Sequence, residues 1–65
     1  MNFIQKKQLK QNLDGMKKTT GDCIDILQHF QEHGELTPEQ SEAIANVIAH
    51  QQNMVVFFEK MTSRV

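Results

Sequence analysis

The sequence predicts an all-α fold: an antiparallel helical hairpin that dimerises into a four-helix bundle, with residues 1–65 as a single domain. Three observations predict it. Apolar residues recur at alternating steps of three and four on both sides of one interruption, which is the spacing of a helix face. That interruption, at about residues 34–37, places a helix stop and a helix start in close succession. Strict two-residue alternation is missing, and the β-branched "NMVVFF" stretch already fits the helical stripe, so no strand competes.

The first helix is expected over about residues 2–33. Asn2 with Gln5 three residues on is a weak capping signal. Leu9, Leu13, Met16, Thr20, Cys23, Leu27 and Phe30 then follow steps of four and three, flanked by Ile24 and Ile26. The phase survives Gly15 and Gly21, which favours one long helix. Each glycine costs roughly 1 kcal/mol against alanine in a helix interior, and Asp14-Gly15 is also a turn signal, so a break there stays open. Both glycines fall on the outer face.

The turn follows "HFQEHG", with a histidine in the last helical turn and Gly34 just past it. Thr37 can cap a new helix, Pro38 fits its first position, and Gln40 completes a Thr-x-x-Gln capping box. The second helix, about residues 38–63, carries Ile44, Val47, Gln51, Met54, Phe58, Met61 and Val65 at heptad spacing. Ile48 and Val55 widen this stripe on one side, Ala43 and Phe57 on the other. Such breadth suits a four-helix bundle better than a two-stranded coil.

Folding the chain at residues 34–37 sets Phe30 near Ile44, Leu27 near Val47, Met16 near Met54, Leu13 near Phe58 and Leu9 near Met61. Thr20 and Cys23 then face Gln51 in a polar middle layer, an arrangement that can fix register and oligomeric state. Two helices alone cannot enclose faces this wide, and a chain of this length buries only about 60% of the surface its unfolded form exposes, which leaves a monomer marginal. A homodimer is therefore expected.

Charge suggests how the protomers lie. All seven bases (Lys6, Lys7, Lys10, Lys17, Lys18, Lys60 and Arg64) fall at the end where the termini meet, with only Asp14 and Glu59 among them. The turn end holds Asp22, Asp25, Glu32, Glu35, Glu39 and Glu42 and no base. Protomers with turns at opposite ends would set basic halves against acidic ones, although exposed pairs contribute little each. This layout resembles the Rop family, plasmid-encoded hairpins of similar length that dimerise into antiparallel four-helix bundles and bind paired RNA loops. The resemblance is one of length and heptad layout over most of the chain. It implies architecture only, and no RNA contact is carried onto any residue here.

Candidate chemistry is sparse. Cys23, at a stripe position beside Asp22 and Asp25, reads as a buried structural cysteine, because a reactive thiol needs exposure and a nearby cation. His29 and His33 share a helix face, but the H-E-x-x-H order is absent and a third ligand would have to come from Glu39 or Glu42, so no metal site is expected. No catalytic residue, cofactor or enzymatic activity is assigned. One cysteine permits no internal disulfide, and neither a signal peptide nor a membrane span is recognisable, so a cytoplasmic location is expected.

The functional expectation is a small regulatory or adaptor protein, of the kind phages and plasmids encode, that binds an unidentified protein partner. The alternative is an RNA- or DNA-binding regulator using Lys6, Lys7, Lys10, Lys17 and Lys18, which could neutralise phosphates. The net charge of −1 speaks against a general polyanion binder, and Phe3 is the only ring near those lysines.

Overall fold

The computed structural model describes all residues from Met1 to Val65. It contains two helices, α1 (Phe3–His33) and α2 (Pro38–Arg64), packed against each other as a hairpin, and no strand. The molecule is a rod with Cα extents of 51 × 14 × 11 Å.

Local chemistry defines both helix starts. Asn2 Oδ1 accepts the Gln5 amide N–H at 2.8 Å, and the Gln5 side chain accepts the Asn2 N–H at 3.2 Å. Thr37 and Gln40 form the same reciprocal pair at 3.1 and 3.0 Å, followed by Pro38 in the first turn. Each box satisfies two amides that the helix geometry would otherwise leave without a partner. At the other end of α1, the Gly34 N–H donates to the Phe30 carbonyl at 2.7 Å. Gly34 is extended (φ −80°, ψ 150°) and is not left-handed. Its role is close approach: a Cβ there would lie 2.5 Å from the Phe30 carbonyl oxygen.

Helix α1 passes through Gly15 and Gly21 without a break. Between them, Thr19 and Thr20 return their hydroxyls to the carbonyls of Gly15 and Met16 at 3.0 and 2.8 Å. Gly15 is exposed, whereas Gly21 is half-buried, so the two do not share the outer face. A Cβ at either would meet nothing within 4 Å. Gly15→Ala and Gly21→Ala are therefore each expected to stabilise the protein by about 0.5–1 kcal/mol, chiefly by narrowing the unfolded ensemble. Chemical denaturation of the single variants checks this; a loss of stability at either position would show that something packs there.

The seam between the helices differs in phase from the heptad stripe. Leu13 and Ile24 of α1, with Ile48 and Phe58 of α2, are the four buried residues. Thr20 and Leu27 lie half-buried between and beside the first pair; Ile44, Gln51, Val55 and Thr62 do the same around the second. The contact ridge of α2 thus reads 44, 48, 51, 55, 58, 62, and that of α1 reads 13, 17, 20, 24, 27.

Four residues expected in the core of the dimer, Met16, Cys23, Phe30 and Val47, lie outside the seam of the single hairpin and are exposed in it. The cause on α1 is Lys17. Its half-buried stem covers the seam while the ammonium reaches Glu59 Oε1 at 3.2 Å, so a charged residue occupies a place that the apolar pattern assigned to Met16. That pair is largely solvated and adds little stability of its own. On α2, Ile48 turns inward in place of Val47, while Met54 and Val55 are both half-buried on either side of the seam.

The polar middle layer also changes. Thr20 spends its hydroxyl on Met16 and Cys23 points elsewhere, so half-buried Gln51 makes no side-chain hydrogen bond within the chain. A half-desolvated amide beside apolar neighbours is unfavourable. Gln51→Leu is expected to raise the melting temperature by several degrees, and a fall would show that the amide has a partner in the assembled protein.

Candidate interaction surface

Two grooves flank the seam and fix which side chains share a face. On one side, Asn12, Met16, Thr19 and Thr20 of α1 border Phe58 of α2. On the other, Asp14, Lys17, Lys18 and Gly21 border Val55. The first side continues along α1 by heptad steps from Met16 to Cys23 and Phe30, with Ile26 one ridge further out. Along α2 it takes in Val47, Met54 and Met61, which lie three residues from the Ile44, Gln51 and Phe58 ridge, and then Phe57.

This face is apolar and open. Met16, Ile26, Phe30, Val47 and Phe57 are between 45% and 57% exposed, while Leu9, Met54 and Met61 are half-buried at its inner edge. Phe57 and Phe58 stand edge to face at 6.1 Å, so the ring that closes the seam directly supports the ring that faces solvent. Cys23 lies on the same face as a free, exposed thiol, not in a buried core. The opposite face carries the Lys17–Glu59 pair and, along the packed length of the hairpin, Val56 as its exposed large apolar residue.

The chain exposes 5191 Å², about 900 Å² more than the roughly 4,250 Å² of a compact 7.5 kDa monomer. The excess has a simple origin. Each helix carries two adjacent apolar ridges, and the hairpin covers one.

A second exposed element lies at the terminal end. Helix α1 has 31 residues and α2 has 27, a difference worth about 6 Å of helix, and residues 1–8 are all exposed. Phe3 and Ile4, at 79% and 72% exposure, stand there beside Lys6, Lys7 and Lys10. Of the five lysines assigned to binding, Lys17 is tied to α2 and the other four are exposed along α1.

His29 and His33 bring their rings to 4.7 Å, and His33 Nε2 lies 3.8 Å from Glu32. No third His, Cys, Asp or Glu joins them in a metal-sized group. No helix is long and apolar enough to cross a membrane. Compared with family models, with curated proteins and with solved structures, the chain matches none of them.

Proposed function

We propose that the protein is a homodimeric, non-enzymatic regulator or adaptor that acts by binding another protein. One observation carries this reading: the hairpin buries four residues and leaves nine large apolar side chains exposed. Apolar surface in contiguous patches on a small protein marks a place where another surface docks. The broad face serves self-assembly. The α1 tip, with Phe3 and Ile4 at the outer end and lysines behind them, serves the partner.

Affinity capture from source cells with the full chain tests this, with Phe3→Ser/Ile4→Ser as the comparison. The expected result is a protein retained at moderate salt by the wild type and lost by the variant, with circular dichroism and sedimentation unchanged. A different class of partner has its own signature. The exposed Lys6, Lys7, Lys10 and Lys18 support nucleic-acid binding as the second reading. Retained RNA or DNA whose binding collapses between low and moderate salt, and is abolished by Lys6→Glu/Lys10→Glu, would replace the protein-binding reading with that one.

A further inference from the structure

We propose that the face formed by Met16, Cys23, Ile26, Phe30, Val47 and Phe57 seats a second copy of this chain, laid with its turn at the opposite end of the rod. This rests on the homodimeric reading above and adds the surface and the orientation.

Extent is the first argument. The Cα footprint of 51 by 14 Å is about 700 Å² per protomer, or about 1,400 Å² for the pair, within the ~1,200–2,000 Å² that stable interfaces bury. Covering that much would remove most of the excess surface of the free hairpin. The opposite face would not serve, because the Lys17–Glu59 pair and its solvation lie on it.

Charge decides the orientation. The terminal half of the rod has seven bases and two acids, hence +5; the turn half has six acids and no base, hence −6, which together give the net −1. Placing turns together would stack −6 on −6 and +5 on +5 along the same length. Reversing one copy sets each half against its opposite. A two-fold axis running across both helices then lays α1 on α1 and α2 on α2, antiparallel. Lys6, Lys7 and Lys10 lie at the level of the span that carries Asp22, Asp25 and Glu32 in the second copy, and Lys60 and Arg64 at that of Glu39 and Glu42. Helical spacing puts most of these α1 charges on the side of the rod that carries Lys17, Lys18 and Gly21, away from the face, so the apolar ridges provide affinity and the overall +5/−6 asymmetry of the rod, acting at longer range, chooses direction.

Sedimentation equilibrium of the full chain should show a dimer at micromolar concentration. Phe57→Glu should weaken it by about a hundredfold or more, because a buried unpaired carboxylate is strongly unfavourable. Val56→Glu, one residue away on the opposite face, should leave it unchanged. Orientation is read in the dimer from His33→Cys in a Cys23→Ser background, carrying a nitroxide on each copy. Opposed turns place the labels about 45 Å apart, from thirty residues of helical rise, whereas adjacent turns place them within about 20 Å. The short distance overturns the orientation, and equal effects of the two glutamates overturn the face. A chain that stays monomeric at tens of micromolar overturns the second copy as occupant. Partner capture through Phe3 and Ile4 would still stand on its own result in that case. If Phe57→Glu unfolds, the label distance and the Val56 control decide.

Discussion

Phe58→Ala is expected to lower stability by about 3–5 kcal/mol, the largest effect of any single truncation in this chain. Phe58 is the most buried side chain, at 6% exposure, in a protein with only three other buried residues. Phe58 closes the seam and supports the Phe57 ring beside it, so its truncation removes contacts within the hairpin and under the neighbouring face together. Domains of this size shift by about 4–8 °C per kcal/mol, which puts the fall in melting temperature above about 12 °C. A thermal melt followed by circular dichroism checks it, with Val56→Ala on the exposed back of the same turn as the control. A small change at Phe58 would mean that the seam is closed by other residues.

At dilutions where the hairpin is monomeric, Ile24→Ala is expected to cost about 2–5 kcal/mol, while Cys23→Ala, exposed in the single hairpin, costs less than about 1 kcal/mol. These neighbours sit on different ridges of α1: Ile24 is buried against α2, and Cys23 is exposed. The comparison therefore measures the rotational phase of α1 about its own axis. Equal losses, or the larger loss at Cys23, would show that α1 is turned by about half a ridge from the orientation described. Denaturant titration with unchanged slope distinguishes a true stability difference from a change in the unfolded state.

The hairpin itself was legible because its signals are local and redundant. Thr37, Pro38 and Gln40 form a helix start in which each residue does what its own chemistry requires, and Asn2 with Gln5 repeats it more weakly. The unbroken periodicity likewise anticipated the passage of α1 through Gly15 and Gly21. The choice of ridge was not legible. On α2 the series 44, 47, 51, 54, 58 and 44, 48, 51, 55, 58 are both apolar apart from the Gln51 they share, so periodicity alone cannot tell which one meets α1. On α1 the inward series 13, 17, 20, 24, 27 contains the charged Lys17, whereas the apolar spacing runs through Met16 and Cys23. The stem of that lysine is apolar, and only the contact with Glu59 shows that it lies along the seam. The sequence shows the apolar width of each helix but does not divide it into the ridge that meets the other helix and the ridge left open beside it. The tip at Phe3 and Ile4 is marked by the length mismatch between helices, which becomes visible once both ends of both helices are known.

That mismatch has a kinetic consequence. At one end of the rod the chain is clasped by the Gly34 amide and the Thr37–Gln40 pair; at the other, the first turn of α1 has no neighbour to hold it. Fraying will begin there and run toward the bend, so amide protons should exchange with deuterated solvent in a gradient, fastest before Leu9 and slowest around Ile24 and Ile48. The molecule opens like a zip with one end sewn shut, and whatever grips Phe3 and Ile4 closes it.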